Sequence, residues 1–241
     1  MNLVLDFGNT RIKAAIFENG ELKQDFVFNQ INEAEQVLLA LPNITHCLVA
    51  SVTAKHLALI DQLKSKFPVM LFEASTPTPL HNLYQSALTL GSDRLAASVG
   101  AYSLYPNKDV LTIDAGTCIK YNFVNAQNQY LGGAISPGIP MRLQAMHHFT
   151  HALPLVEFDK NYDKLTGQTS AESLLSGALL GAACEADSMI DRYRTQHPEL
   201  IVALTGGDSD YLSKQLKNRF FAHPKLLLQG LDTILRYNLE K

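Results

Sequence analysis

The chain has 241 residues, 46% hydrophobic and 18% charged, with a formal net charge of −3. That length and balance suit one large folded domain or two smaller ones and exclude a disordered chain. The near-neutral charge gives no electrostatic case for a nucleic-acid or membrane-surface partner, and Cys47, Cys118 and Cys184 lie far apart in apolar segments, as reduced thiols do.

The opening Met1–Asp6 has no basic lead-in and reads as a buried strand of a cytoplasmic protein, not a signal peptide. Val4–Asp6 reads as a first strand, Ile12, Ala14 and Ile16 alternate along a second, and Glu21–Asn29 reads as a third. Helical spacing follows at Ile31–Leu41, then a strand at Cys47–Val52, a helix at Lys55–Lys66 and a strand at Val69–Phe72. Thr76-Pro77-Thr78-Pro79 is a loop. A helix over Ser92–Tyr105 ends at Pro106-Asn107, which divides the chain into halves 1–106 and 107–241. Strand, turn and strand begin again at Val110, with a further strand at Tyr130–Ile135. Helices are predicted at Ile139–Phe149, Ser170–Arg194, Tyr211–Lys217 and from Pro224 onward, with short strands at Ile201–Leu204 and Phe220–Ala222. Leu153–Gln168 has no clear period and reads as a loop. Leu174–Cys184, the most apolar later stretch, is too short to span a bilayer.

Leu5-Asp6-Phe7-Gly8-Asn9-Thr10-Arg11-Ile12-Lys13 is echoed by Ile113-Asp114-Ala115-Gly116-Thr117-Cys118-Ile119-Lys120, one residue shorter. Each copy is an apolar run, an Asp, a Gly turn with a Thr, and a second apolar run. Glycine lets backbone N–H groups approach an anion, the threonines add hydroxyl donors, and Asp6 and Asp114 add charge suited to a cation. In a Rossmann or P-loop site the glycine loop opens a helix. Here it opens a strand, which points to an α/β, actin-like fold and to phosphoryl transfer from a nucleotide. A single such turn reads more readily as a plain hairpin; its repetition is what favours phosphate. Thr205-Gly206-Gly207-Asp208 is a third glycine turn, with a strand-to-helix cap as the competing reading.

Gly91-Ser92-Asp93-Arg94, the two Asp-Gly-Thr turns, Tyr84, Gly132–Gly138, Gly167-Gln168-Thr169 and Thr205–Asp208, in this order, resemble type III pantothenate kinases. The resemblance runs from residue 3 to about 231. It implies an actin-like (sugar kinase/Hsp70/actin) fold of two ribonuclease H-like halves, a homodimer, and ATP-dependent phosphorylation of pantothenate in coenzyme A synthesis. It implies Mg²⁺ and a monovalent cation, potassium or ammonium. By position, Asp93 matches the base, and Tyr84, Gly91, Ser92, Asp93, Arg94 and Thr169 match pantothenate contacts. Asp6, Gly8, Asn9, Thr10, Lys13 and Thr117 match ATP contacts, and Asp114 the cation ligand. Several have plainer readings: Asp93 as a first-turn acid, Lys13 as the solvent side of a strand, and Thr169 as an N-cap completed by Glu172.

Two positions depart from the family's pattern. Ala87 stands where proline is usual, and Lys120 where a small hydroxyl residue is usual. His147, His148 and His151 lack the acidic partner of a zinc motif and read as a solvated helix end, and Asp187 and Asp191 as a solvated helix face. The alternatives on the same fold are a kinase for another small alcohol and a nucleotide-binding transcriptional regulator. The intact set Asp6, Asp93, Arg94 and Asp114 favours the enzyme.

Overall fold

Both halves are built on a hairpin of largely buried strands. In the first, β1 (Asn2–Phe7) pairs antiparallel with β2 (Ile12–Glu18), which pairs with β3 (Glu21–Phe28). In the second, β7 (Val110–Ala115) pairs antiparallel with β8 (Cys118–Val124). The computed structural model describes residues 1–8, 10–51 and 56–241, the side chain of residue 51 apart. Asn9 of the first turn, Val52 at a predicted strand end and Lys55 at a predicted helix start lie outside the described residues.

The first sheet runs β3-β2-β1-β4-β5, with β4 (His46–Ser51) and β5 (Val69–Leu71) parallel to β1. Side chains alternate between its two faces. Leu3, Leu5, Phe7, Cys47 and Val49 pack with Ala34 and Leu38 of α1 (Ile31–Ala40) and with Leu59, Ile60 and Leu63 of α2 (Leu57–Lys66). Asn2, on the face of Val4 and Asp6, donates to Asp232 of α7 (Leu226–Leu239) at 3.1 Å. Against α7 lies α3 (Ser92–Leu104), and glycine makes the contact possible. A Cβ on Gly100 would sit 2.2 Å from the Leu226 carbonyl oxygen, and one on Gly230 1.8 Å from that of Ala96. Lys225 and Asp25 form an ion pair at the start of α7. By packing, the first unit is Met1–Asn107 with Gln127–Leu131 and Lys225–Lys241; the second is Lys108–Ala126 with Gly132–Pro224. The sequence places all of 107–241 in one half, whereas the final helix packs with the first unit.

In the second unit β10 (Ile201–Thr205) runs parallel to β7, with β11 (Phe221–Ala222) beyond it; β9 (Gln129–Pro137) lies on the other side of β8. One face of β7 and β8, from Leu111 and Ile113 to Tyr121 and Phe123, packs on α4 (Ile139–His148), α5 (Ser170–Gln196) and α6 (Ser209–Gln215). The other face carries Thr112, Asp114, Lys120 and Asn122, in register as Thr112↔Asn122 and Asp114↔Lys120. Within the first unit, β6 (His81–Asn82) pairs parallel with the start of β9, at Gln129 and Tyr130. Two residues show no period, so β6 has no signature in the sequence.

Candidate active site

The first turn closes as a hairpin: Gly8 N–H donates to the Arg11 carbonyl at 3.1 Å. Asp6 is buried beneath it, Thr10 is exposed, and Lys13 lies directly opposite Asp6 in the β1–β2 register. Opposed residues of an antiparallel pair share a face, so the Asp6 carboxylate and the Lys13 stem emerge together.

Also in the first unit, Gly91 is the N-cap of α3, and Ser92, Asp93 and Arg94 form its first turn. The Asp93 Oδ1 accepts the Arg94 backbone N–H at 2.8 Å, which fixes the carboxylate at the positive end of the helix. Arg94 is buried, unusual for a guanidinium. Its guanidinium carbon lies 5.4 Å from the Tyr84 ring centre. A cation over an aromatic face is attracted by the ring quadrupole. Tyr84 leans on Tyr130, with ring centres 6.1 Å apart, and its backbone N–H donates to Asn82 Oδ1 at 3.0 Å. Tyr84, from a separate stretch of the chain, thus joins the adjacent Asp93 and Arg94 in one cluster. A hollow beside it is lined by Phe72, Asn82, Ala87, Leu90, Ser92 and Leu95 among others. Ala87, where the family carries proline, faces that hollow from a single 3₁₀ turn, Ala87–Thr89.

The second turn repeats the first with one residue fewer: Gly116 N–H donates to the Cys118 carbonyl at 3.0 Å. Two backbone segments press on it. Gly138 N–H donates to the Thr117 carbonyl at 3.1 Å, and Asp208 N–H to that of Ala115 at 2.9 Å. A Cβ on Gly138 would lie 2.0 Å from the Gly116 carbonyl oxygen; one on Gly206, whose φ is +101°, would lie 2.1 Å from that of Ala115. The third glycine turn, Thr205–Asp208, therefore packs directly on the second. Thr205 stands opposite Asp114 in the β10–β7 register. Thr117 is exposed at the tip. Lys120 Nζ lies 3.1 Å from Asp114 Oδ2.

Behind this turn stands a network absent from the sequence reading. Glu185 of α5 accepts from Tyr121 at 3.0 Å and from Ser136 at 2.5 Å, and pairs with Arg142. Arg142 Nε also donates to the Pro137 carbonyl at 2.8 Å. Burial pushes the Glu185 carboxyl up, but the hydrogen bonds from Ser136, Arg142 and Tyr121 and the Arg142 charge outweigh it and leave the group below its ordinary value. Burial and the neighbouring Glu185 push the Tyr121 phenol up. Residues scattered over β8, β9, α4 and α5 show no joint pattern in a sequence.

Thr169 is the N-cap of α5, its hydroxyl oxygen accepting the Glu172 N–H at 3.2 Å. Glu172 reaches back to the Gln168 N–H at 2.9 Å as well as to the Thr169 backbone N–H of a capping box. Asp187 is not part of a solvated face: its carboxylate accepts the N–H groups of Lys217 and Asn218 at 3.0 Å each, and Asp191 accepts the Asn218 side-chain amide at 2.9 Å. His147 Nδ1 pairs with the Leu153 carbonyl at 2.8 Å.

An α/β chain with two Asp-Gly-Thr hairpins and a helix-borne carboxylate falls in the actin-like class of kinases, and solved structures share the fold. A protein of Campylobacter jejuni assigned to the Baf family of transcriptional activators superposes with a TM-score of 0.66 at 21% identity, covering 99% of this chain and 100% of that one. The ROK hexokinase of Thermus thermophilus gives 0.51 at 14% identity, with 99% of each chain covered. The sequence profile described as type III pantothenate kinase matches residues 2–192. A type III pantothenate kinase of Flavobacterium johnsoniae is 38% identical over 100% of this chain and 99% of its own. The chain belongs to the type III pantothenate kinase family.

Proposed function

We propose that this kinase transfers the γ-phosphoryl group of ATP to the primary alcohol of pantothenate, giving 4′-phosphopantothenate, the first step of coenzyme A synthesis. The observation that carries this reading is the start of α3, where an oriented carboxylate adjoins a buried guanidinium stacked on an aromatic ring. Asp93 takes the hydroxyl proton as the alcohol oxygen bonds to phosphorus and the bond to ADP breaks. The loose transition state of phosphoryl transfer asks little of this base beyond position. Arg94 binds the pantothenate carboxylate through its planar fork, which Tyr84 holds in orientation. Gly91 and Ser92 complete the acceptor side. Thr169 keeps its O–H free for pantothenate, because its helix cap uses only the oxygen as acceptor.

Gly8, Asn9, Thr10, Lys13 and Thr117 supply backbone, hydroxyl and ammonium donors to ATP phosphates. Asp6 is a hard oxygen donor at the foot of the first turn and fits Mg²⁺, directly or through water; the ion supplies charge neutralisation on the phosphate chain. A monovalent cation at Asp114 does not fit the residues present, because Lys120 already stands there. We place the enzyme in the cytoplasm as a homodimer. Among the described residues no helix is long and apolar enough to cross a membrane, and the three cysteines are free thiols.

The likeness to the Campylobacter protein shows a shared fold; a regulator has no need of the Tyr84–Asp93–Arg94 cluster. The test is ATP-dependent phosphorylation of pantothenate by the purified protein with Mg²⁺. Turnover is expected, with Asp93→Asn lowering kcat by about 10²–10⁴-fold and leaving ATP affinity unchanged. ATP binding without turnover by the wild type would move the reading to another acceptor or to a regulator. Equal turnover by both forms would remove Asp93 as the base.

A further inference from the structure

Asp114 and Lys120 are directly opposed across the β7–β8 pair, so their side chains share the polar face of the hairpin. The ammonium lies 3.1 Å from the carboxylate, and the side chains are only 15% and 22% exposed. This is no loose surface pair. The partners sit on neighbouring strands whose register is fixed by the backbone ladder, at the base of a turn walled by Gly138 and Gly206. The first hairpin carries the same pairing, Asp6 opposite Lys13, so an aspartate faced by a lysine is part of the repeated unit.

From this geometry we infer that the Lys120 ammonium is the resident monovalent cation of the second turn, and that the enzyme needs no potassium or ammonium from solution. The inference rests on the kinase reading above. A carboxylate at the second phosphate-binding turn would repel the incoming phosphates unless its charge were neutralised. A dissolved cation does this at the cost of being captured from solution. A lysine on the facing strand does it from within the chain, at a high effective concentration set by the fold. The two solutions exclude each other, since a second cation beside the same carboxylate would meet the ammonium's repulsion.

The test compares wild type with Lys120→Ala and the longer, uncharged Lys120→Met. Potassium or ammonium is titrated against choline at constant ionic strength, with Mg²⁺ present. Two quantities are read: the rate of pantothenate phosphorylation, and the affinity for a non-hydrolysable ATP analogue by calorimetry. Wild type is expected to change less than about twofold between potassium and choline in both. Lys120→Ala is expected to fall by about tenfold or more in choline and to recover as potassium or ammonium is added. Lys120→Met, which fills the space, is expected to fall and to recover less.

Wild-type rates or affinities that climb steeply with potassium would overturn the inference. So would a folded Lys120→Ala protein, verified by circular dichroism, that is indifferent to the cation or stays impaired in every cation. Should pantothenate not be phosphorylated under any condition, the acceptor assignment fails. The calorimetric arm still decides the role of Lys120.

Discussion

The two Asp-Gly-Thr hairpins are the same device in two settings. Both close with one N–H to carbonyl bond across the turn, from Gly8 in the first and Gly116 in the second. Both place a lysine opposite the aspartate. They differ in what surrounds them. A Cβ on Gly8 would meet the Arg11 carbonyl oxygen at 3.1 Å, a contact that small shifts relieve. The second turn touches backbone on two sides, at Gly138 and Gly206, with no room for a methyl group at either wall. In the second hairpin the lysine is spent on its aspartate; in the first, Lys13 makes no ion pair among the described residues. A repeated motif can thus keep its local geometry while its lysine is paired with the facing aspartate in one copy and makes no ion pair among the described residues in the other.

The largest effect should separate the two settings outright. Gly206→Ala needs a positive φ that alanine disfavours and drives a methyl group into the Ala115 backbone. A loss of about 3 kcal/mol or more is expected, seen as a fall of roughly 10 °C in Tm. Gly8→Ala should cost less than about 1 kcal/mol, while weakening ATP binding. Equal falls in Tm for the two variants would show that the walls add nothing and that the hairpins are equivalent.

Next in size is the difference in how the lysines are used. Asp114→Asn and Lys120→Met each remove one charge of a partly buried ion pair, and each should cost about 1–2 kcal/mol. The double variant should cost less than the sum, and chemical denaturation of the four proteins gives the coupling directly. Lys13→Met should change stability by less than about 0.5 kcal/mol and raise the apparent Kd for ATP instead. A large stability loss at Lys13 with no change in ATP affinity would reverse the assignment.

The hairpins were legible because alternation and glycine placement are local. The start of α3 was legible from Gly91-Ser92-Asp93-Arg94, and the α5 cap from Thr169 and Glu172, whose carboxylate also takes the Gln168 N–H. What escaped was non-local. Gly138 and Gly206 read as parts of the family's glycine segments, and only the fold shows that both press on the second turn. The carboxylates Asp187 and Asp191 read as a solvated face because the chain that they hold, at Lys217 and Asn218, is some thirty residues away. The two-residue strand β6 and the return of α7 to the first unit depend on pairings that no window of sequence contains.

The wall of the second turn also carries a pH signature. Ser136 and Pro137, immediately before Gly138, are held by Glu185 and Arg142. Glu185 titrates below its ordinary value in the folded protein. Its contribution to stability is therefore complete above the unfolded-state pKa of about 4.3 and is lost as pH falls through the lower folded value. Melting temperatures followed down into that acid range should fall less steeply for Glu185→Gln than for wild type, while Gln starts lower at neutral pH. Parallel curves would mean that the Glu185 charge does not hold the wall.

The smallest effect tests whether Thr169 binds the acceptor or only caps its helix. Thr169 has two assignable jobs, and they use different parts of one hydroxyl. Its oxygen caps α5, and removing that bond with Thr169→Val should cost about 1 kcal/mol. Its hydrogen is the part available to pantothenate. If it is used, KM for pantothenate should rise with kcat nearly unchanged, the mark of binding shared by ground and transition states. Thr169→Ser keeps both the oxygen and the hydrogen and should restore Tm and KM together. Thr169→Asp separates them: a carboxylate caps well but cannot donate, and its charge opposes that of pantothenate. It should therefore recover stability and leave KM raised. If KM instead follows Tm across all three variants, Thr169 acts only by fixing the helix end, and pantothenate recognition rests with Tyr84 and Arg94.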